Sequence, residues 1–389
     1  MAPTPRALRR ILCLQDFEGA ARRRLPRPIF GFISGAAEDN RTRDDNRAAF
    51  DGYGFTTRVL RDVSARSQVV ELFGQRYASP FGIAPMGIVG LSTYRGDLVL
   101  ARAAQQAGVL SIMSATSLVP LEEVAALGPG GWFQAYLPAE QERIDALLDR
   151  VARAGFGTLV VTVDAHVAAN RENNVRAGFS TPLRPGPRLA WDGLVRPRWT
   201  LGTFLRTLLR HGMPHFENSF ATRGAPIVSA RAVRDFAARD HIAWTHLDAI
   251  RRRWQGRLVI KGILGVEDAL EAQRRGADGI ILSNHGGRQL DGAVSPLRIL
   301  PRVVRAVGPD FPVMLDGGVR RGTDVLNALA LGARMVFLGR PFNYAAAVAG
   351  EAGVAHAIAL LQAEVQRDLG MLGLASCAEL GPQVLVRRR

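Results

Sequence analysis

Short apolar runs with the character of β-strands alternate with helix-length segments from about residue 80 onwards. Candidate helices such as 97–107 and 322–331 lie between the runs. The runs predict eight strands, at about 81–84, 109–113, 132–136, 158–163, 257–261, 278–282, 311–315 and 335–338. Eight consecutive strand–helix units favour a parallel (β/α)₈ barrel, the TIM barrel, over a doubly wound sheet. A doubly wound dinucleotide-binding sheet should also show a G-x-G-x-x-G turn after its first strand, and the sequence has none there.

The repeat leaves two parts of the chain unexplained. Residues 1–80 are predicted to be helical and irregular, with the barrel over 81–365. The connection between the fourth and fifth strands is too long for a single helix, which predicts a variable insertion at about 170–230. We expect all of these parts to form one domain over 1–389.

The predicted insertion combines basic and large apolar residues. A Pro- and Arg-rich piece at 181–188 precedes 199–212, where Trp and Leu recur beside Arg. This pattern is typical of a basic amphipathic helix, which can lie in a membrane interface. An ordinary surface helix of an active-site lid is the alternative interpretation.

The densest polar cluster follows the sixth predicted strand and reads Ser-Asn-His-Gly-Gly-Arg-Gln over 283–289. In a barrel, chemistry lies where strands end and loops begin. A His can accept a proton near neutral pH, and an Arg can hold a carboxylate through two parallel hydrogen bonds. The cluster therefore predicts a base, His285, beside an anion clamp, Arg288.

Two further strand ends predict a phosphate site. Glycine N–H groups and an Arg after the seventh and eighth strands form the usual phosphate site of a barrel. The residues in these positions are Asp316, Gly317, Gly318, Arg320, Gly339 and Arg340.

The 283–289 motif resembles the active-site signature of the FMN-dependent α-hydroxy-acid dehydrogenases and oxidases. That family includes glycolate oxidase, L-lactate dehydrogenase and (S)-mandelate dehydrogenase, and the chain looks most like the mandelate and lactate dehydrogenases. The resemblance runs from about Leu25 to about Gly373. It implies that an L-2-hydroxy acid is oxidised to the 2-oxo acid with FMN as cofactor.

The resemblance also assigns residues to the flavin. Lys261, the only Lys of the chain, would be the fixed cation that favours the negative charge of a reduced flavin. The family often has Thr where Met86 stands. No metal site is expected. The implied flavin positions are Pro85, Met86, Gly87, Ser114, Gln134, Thr162, Lys261, Ser283, Asp316, Gly317, Gly318, Arg320, Gly339 and Arg340.

On the substrate side, the resemblance makes His285 the base and Asp164 the carboxylate that orients its imidazole. Arg288 and Arg171 match carboxylate-binding arginines, and Tyr136 matches a Tyr near the substrate oxygen. Two electrons would reach flavin N5. Either the C2 proton leaves first, giving a carbanion, or the hydroxyl proton leaves as a hydride transfers, and the sequence leaves both routes open.

Phe32 departs from the family, which usually has a substrate-binding Tyr at this position of the N-terminal segment over the barrel mouth. A Phe has no hydroxyl to donate. The departure predicts a preference for larger apolar 2-hydroxy acids, mandelate-like or long-chain, over glycolate and lactate.

The composition indicates the cellular compartment in which the protein is expected. Hydrophobic residues make up 47% of the chain, as in a globular protein, and two cysteines without a CxxC predict neither a disulfide framework nor a zinc site. We find neither a signal peptide nor a run of eighteen apolar residues. We therefore expect a cytoplasmic homo-oligomer, with peripheral contact on the inner face of the cell membrane if the insertion binds there.

The formal charge of +15 could favour binding to nucleic acid, to an anionic membrane or to anionic substrates. No basic stripe with interleaved aromatics, zinc spacing or helix-turn-helix pattern is present, so nucleic acid is not an expected partner. Another flavin barrel, such as an FMN-dependent isopentenyl diphosphate isomerase, should lack the His-Gly-Gly-Arg pairing. A quinone, a cytochrome or oxygen, which an oxidase would reduce to H₂O₂, could each accept the electrons, and the insertion favours a quinone.

Overall fold

The computed structural model describes residues 5–138, 140–180, 186–229 and 239–388. Its centre is a closed barrel of eight parallel strands with helices around it, which confirms the predicted TIM barrel. Each predicted barrel strand is present to within a few residues. The barrel strands are β4 Phe81–Ile83, β5 Leu110–Ser114, β6 Trp132–Ala135, β7 Thr158–Thr162, β8 Arg257–Ile263, β9 Gly279–Leu282, β10 Val313–Asp316 and β11 Val336–Leu338.

The barrel strands are short and apolar because both of their faces are buried. In β7, Val160 points into the barrel, where it packs with Trp132, Val259 and Phe337. Its neighbours Leu159 and Val161 belong instead to the larger core between strands and helices. The interiors of the strands are mostly apolar, and the predicted site residues lie at or near the carboxyl ends of the strands.

Helices surround the barrel and cover its mouth. The α-helices among the described residues are α1 Asp16–Arg24, α2 Arg27–Ser34, α3 Arg41–Asp51, α4 Gly96–Gln106, α5 Leu121–Ala125, α6 Gln141–Arg153, α7 Glu172–Ala177, α8 Pro187–Leu194, α9 Pro197–Trp199, α10 Arg206–His211, α11 Trp244–Arg253, α12 Val266–Arg274, α13 Pro296–Val307, α14 Gly322–Ala330 and α15 Arg340–Leu372. Short 3₁₀ turns lie at Arg6–Leu8, Val89–Leu91, Cys377–Glu379 and Pro382–Val384, and a π-helical stretch lies at Thr200–Leu205.

Two small antiparallel sheets flank the barrel. Strand β1 (Tyr53–Phe55) pairs with β12 (Leu385–Arg387), and β2 (Val70–Leu72) pairs with β3 (Gln75–Tyr77). Leu72 packs against the barrel interior, so the second pair closes the amino-terminal end of the barrel. The sequence did not predict these strands, because three residues are too few to show an alternating pattern.

Among the described residues, α15 is long enough, and apolar enough over its most hydrophobic window, to cross a membrane by length and composition. More than half of that window, 56%, is buried within the protein. Ala349 and Gly350 also break its helical geometry, so it consists of two helices joined at a kink. We therefore interpret α15 as a core helix.

The predicted insertion includes 181–185 and 230, which lie outside the described residues. Its described part forms α7 to α10. Trp199, expected on an amphipathic surface, is instead buried and donates its indole N–H to the Leu91 carbonyl at 2.7 Å. The Tyr94 hydroxyl contacts His211 Nε2 at 2.9 Å. The insertion is thus attached beside the loop that follows the first barrel strand.

Candidate active site

His285, Asp164 and Tyr136 form a connected group at the carboxyl ends of the barrel strands. The imidazole Nδ1 of His285 contacts Asp164 Oδ1 at 3.0 Å, and its Nε2 lies 3.3 Å from the Tyr136 hydroxyl. The Tyr136 and His285 rings are nearly parallel, with an interplanar angle of 21°. A carboxylate on Nδ1 leaves Nε2 as the basic nitrogen of the ring.

The backbone of the motif holds His285 in an unusual conformation. His285 has φ of +58°, in the left-handed region that non-glycine residues rarely adopt. The Ser283 hydroxyl accepts a hydrogen bond from the His285 N–H at 3.0 Å, which supports the turn. Gly287 also has a positive φ, and a Cβ there would collide with the backbone of Arg43. Gly287 is therefore required by the close approach of α3, whereas a Cβ at Gly286 would meet the guanidinium of Arg340.

Two arginines face the same cavity from the motif and the insertion. Arg288 donates from Nη1 to the carbonyls of Phe32 and Gly35, both at 2.7 Å. Arg171 donates from Nε to the Arg288 carbonyl at 3.0 Å and from Nη2 to the Gln289 side chain. No carboxylate of the described residues forms an ion pair with either arginine, so both can receive an anion.

Lys261 lies at the bottom of the cavity in a buried polar group. Its ammonium contacts Asp316 Oδ2 at 2.9 Å and donates to the Ser283 hydroxyl at 2.7 Å. Burial acts to lower the pKa of Lys261, but the carboxylates of Asp316 and Asp164 outweigh it and raise the pKa. The side chain is therefore a fixed cation at neutral pH.

Arg320 and Arg340, both half-buried, supply two further guanidinium groups. Burial, then the positive charges of Arg340 and Arg47, lowers the pKa of Arg320 to about 10. No described carboxylate pairs with Arg320 or Arg340. Gly318, at φ of +83°, is packed so closely against Asn46 that a Cβ would collide with its carbonyl. Two arginines beside a tightly folded glycine loop fit a phosphate group.

The residues expected around a flavin ring bring unsatisfied polar atoms to the same end of the barrel. The Ser114 hydroxyl donates to Gln134 Oε1 at 3.0 Å. Three buried atoms there have no hydrogen-bond partner among the described residues: Gln134 Nε2, Thr162 Oγ1 and Asp316 Oδ1. Buried polar atoms are normally paired, so these atoms fit a bound ligand with donors and acceptors on its edge, as the flavin of FMN has.

A single cavity of about 1060 Å³ connects these groups. Most of the predicted site residues line it: Phe32, Pro85, Met86, Gly87, Tyr136, Thr162, Arg171, Lys261, His285, Arg288, Asp316, Gly317, Gly318, Arg320, Gly339 and Arg340. Ser114, Gln134, Asp164 and Ser283 do not line it but contact residues that do, or lie directly behind them.

The cavity also has walls that the sequence did not predict. Phe179, Phe216, Ile227 and Arg239 line it and belong to the insertion or follow it. The Phe179 and Phe32 rings are 4.6 Å apart between centroids. No motif marks these four residues. The only sequence signal was the length of the insertion, since a long loop at this end of a barrel commonly covers the site.

Burial and mutual charge set the protonation of the His285–Asp164 pair. Burial lowers the pKa of His285, although the neighbouring Asp164 carboxylate works in the opposite direction. Burial would raise the pKa of Asp164, but the charge and hydrogen bond of His285, together with Lys261, hold it below its usual range. The pair is thus a neutral imidazole oriented by an ionised carboxylate.

Comparison with known proteins gives consistent matches over nearly the whole chain. The (S)-mandelate dehydrogenase of Pseudomonas putida is 36% identical over 373 residues, covering 96% of this chain and 93% of the relative. The L-lactate dehydrogenase of Pectobacterium atrosepticum is 39% identical over 376 residues, covering 96% of both chains. A crystal structure of the monotopic membrane protein (S)-mandelate dehydrogenase matches with a TM-score of 0.89 at 34% identity, covering 98% of this chain and 100% of that one. The family model described as FMN-dependent dehydrogenase matches residues 21–387, and the chain belongs to this family.

Proposed function

We propose that the protein oxidises an L-2-hydroxy acid to the 2-oxo acid, with His285 as the base, and that residues 1–389 act as one FMN-binding unit. The observation that supports this best is the shared cavity. It joins a His–Asp pair, two arginines that have no carboxylate partner among the described residues, and a buried Lys beside a glycine–arginine loop. The relatives named above are mandelate and lactate dehydrogenases, whose substrates are 2-hydroxy acids.

The substrate carboxylate would bind between Arg171 and Arg288. Both arginines line the cavity on the side of His285 and are half-buried, and this burial lowers the pKa of each guanidinium and strengthens its attraction to an anion. Tyr136 would donate its hydroxyl to the substrate oxygen. This arrangement would bring C2 and its hydroxyl near His285 Nε2, which would then accept the proton while Asp164 would stabilise the resulting imidazolium.

FMN, when bound, accepts the two electrons that leave the substrate. Its phosphate would be held by Arg320, Arg340 and the Gly317–Gly318 loop, with Gly339 opposite. Lys261 would place a positive charge beside the ring edge that becomes anionic on reduction. The remaining ring contacts would come from Pro85, Met86, Gly87, Ser114, Gln134, Thr162, Ser283 and Asp316.

The electron acceptor would be a quinone reached from a membrane surface. Exposed apolar residues of the insertion lie beside exposed Arg198, Arg206 and Arg210. The apolar residues are Trp191, Leu194, Leu201, Leu205 and Leu209. A surface of this kind suits peripheral contact with an anionic membrane. The monotopic membrane character of the related mandelate dehydrogenase supports this assignment.

One experiment tests the reaction and the acceptor together. The purified protein is mixed anaerobically with a panel of 2-hydroxy acids, and bleaching of the flavin absorbance is followed. The reduced enzyme is then reoxidised with a soluble quinone or with oxygen. Bleaching by an L-2-hydroxy acid and faster reoxidation by the quinone are expected. Absence of bleaching by every acid would contradict the proposed reaction, and faster reoxidation by oxygen would make the protein an oxidase.

A further inference from the structure

Three consecutive residues of the 283–289 motif share a left-handed backbone. His285, Gly286 and Gly287 have φ of +58°, +66° and +75°. The two glycines adopt this conformation at little cost, whereas the Cβ of His285 disfavours it. A non-glycine residue keeps such a conformation only where the surrounding structure holds it there. The position of the His285 imidazole therefore depends on the contacts that hold this turn.

Asn284, the residue directly before His285, holds the turn through its side chain. Its Oδ1 accepts the Gly287 N–H at 3.1 Å, and its Nδ2 donates to the Val294 carbonyl at 3.1 Å. The side chain of Asn284 thus joins the turn to the loop that follows it.

Asn46 of α3 contacts the same side chain from across the fold. Asn46 Nδ2 donates to Asn284 Oδ1, and Asn46 Oδ1 accepts from Asn284 Nδ2, both at 2.8 Å. The two side chains are buried, at 1% and 4% exposure, so water does not compete for these hydrogen bonds. Two reciprocal hydrogen bonds between planar amides fix both the place and the plane of the Asn284 side chain.

The main chain of Asn46 makes a separate contact with the glycine loop. A Cβ at Gly318 would collide with the Asn46 carbonyl, so α3 also packs against the loop that is expected to bind phosphate. A side-chain substitution at Asn46 leaves this main-chain contact in place. It should therefore disturb the 283–289 motif more than the phosphate loop.

We propose that Asn46 is a positioning residue for the reaction, because through Asn284 it holds the imidazole of His285 at the angle at which Nε2 meets the substrate. This inference rests on the proposed function, in which His285 is the base. A shift of Asn284 would change the direction in which the next side chain leaves the main chain. A misplacement of about 1 Å at a catalytic group can cost about 100-fold in rate.

The test removes the amide of Asn46 from the holoenzyme and measures chemistry, binding and stability separately. Asn46→Leu has a similar shape and no hydrogen-bonding group. Each polar atom of the Asn284 side chain then keeps one partner, Gly287 or Val294, so the variant should fold. Asn46→Asp keeps the acceptor for Asn284 Nδ2 and loses the donor, so it breaks only one of the two hydrogen bonds.

Asn327→Leu is the matched control. Asn327 lies on α14, is 4% exposed and has no hydrogen bond to the motif among the described residues. The FMN content and Tm of every variant are measured first. Anaerobic flavin reduction is then followed with the 2-hydroxy acid that reduces the wild type fastest.

At saturating acid, Asn46→Leu should reduce its flavin about 10- to 100-fold more slowly than the wild type, while the KM for the acid and the FMN content change little. Asn46→Asp should lie between the two, and Asn327→Leu should reduce at the wild-type rate. Asn46→Leu combined with His285→Asn should be no slower than His285→Asn alone, because residues that act through one group are not additive.

A wild-type reduction rate in Asn46→Leu would overturn the inference, and a wild-type rate in Asn46→Asp would do so if the leucine variant does not fold. Single effects that multiply in the double variant would also overturn it, because Asn46 would then act independently of His285. Each of these results leaves the proposed function intact. Near-normal reduction in His285→Asn, or failure of every 2-hydroxy acid to reduce the wild type, would overturn both.

Discussion

His285 Nδ1 lies 3.0 Å from Asp164 Oδ1, although the two residues are 121 positions apart in the chain. Asp164 follows the fourth barrel strand and His285 follows the sixth. Parallel barrel strands bring their carboxyl ends to one face, so distant loops can form one catalytic pair. The pairing leaves Nε2 as the basic nitrogen of the ring.

Replacement of the base should separate chemistry from cofactor binding. His285→Asn keeps a polar side chain but cannot accept the proton, so turnover should fall by about 10²–10⁴-fold or more. The flavin should remain bound, because the side chain of His285 contacts Asp164 and Tyr136 and none of the expected phosphate-binding residues. Stopped-flow anaerobic reduction and the FMN content of the variant measure the two effects. Near-normal reduction would show that His285 is not the base.

The pH dependence of kcat/KM should report the His285–Asp164 pair. Burial lowers the pKa of His285 from its ordinary value of about 6.5. Only the neutral imidazole accepts a proton. We therefore expect kcat/KM to be constant at pH values above the lowered pKa of His285 and to fall as the pH drops through that pKa. Asp164 raises the pKa of His285, so Asp164→Asn should move the acid limb to still lower pH and also reduce kcat. An acid limb that stays in place or moves upwards would argue against this coupling.

Lys261 should be needed for the flavin. Lys261→Met removes the buried ammonium that pairs with Asp316, leaving that carboxylate without its cation. FMN should bind more weakly or be reduced more slowly, since the charge that favours the reduced ring is lost. Gel filtration followed by flavin absorbance, and the anaerobic reduction rate, measure these outcomes. Lys261→Arg is the control that retains the charge, and Lys261→Met with full FMN content and an unchanged reduction rate would reject the assignment.

The barrel could be predicted because its strands are buried on both faces and therefore appear as continuous apolar runs with polar residues at their ends. The 283–289 motif is local in sequence, so its His and Arg could be identified together. Contacts between residues that are distant in the chain could not be predicted from the sequence. Asn284 and Asn46 exchange two hydrogen bonds of 2.8 Å across 238 positions, which fastens α3 to the motif. Neither residue carries a pattern that indicates its partner.

The residues of the cavity wall could not be predicted from the sequence either. Phe179, Phe216, Ile227 and Arg239 lie on segments without regular periodicity, so no strand end or helix face fixes where their side chains point. The amphipathic interpretation of 199–212 was only partly confirmed. Leu201 and Leu209 are exposed, but Trp199 is buried, because helical spacing does not show which side of a short helix meets the protein.

The exposed apolar face of the insertion should mediate membrane contact. Replacing the whole stretch 187–220 would also remove Phe216 from the cavity wall and buried Asn218, which accepts the Leu121 N–H at 2.8 Å. Point substitutions are therefore sharper: Trp191→Ser, Leu194→Ser and Leu209→Ser together. Wild type should float with anionic liposomes and be released at high salt, because the surface attraction is screened.

The triple variant should lose flotation yet retain activity with a soluble acceptor. Met371→Ser is the matched control, because Met371 is equally exposed but lies on α15, away from the insertion. Equal flotation of the triple variant and the wild type would reject contact through this face.

Phe32 should set the preference for the substrate's side chain. Its ring lines the cavity, packs 4.6 Å from Phe179 and has the Arg288 guanidinium 4.9 Å from its centroid. A Tyr here could donate its hydroxyl to the substrate carboxylate, and such a hydrogen bond contributes roughly 1.5–3 kcal/mol. Its absence should weaken small hydroxy acids by about 10- to 100-fold. Apolar burial at about 25 cal/mol per Å² can offset that loss for substrates with an aryl group or a long chain.

We therefore expect wild type to prefer mandelate or 2-hydroxyoctanoate over glycolate and lactate, and Phe32→Tyr to shift kcat/KM towards the small acids. A wild-type preference for glycolate, with every ratio unchanged in Phe32→Tyr, would show that the ring does not select the substrate.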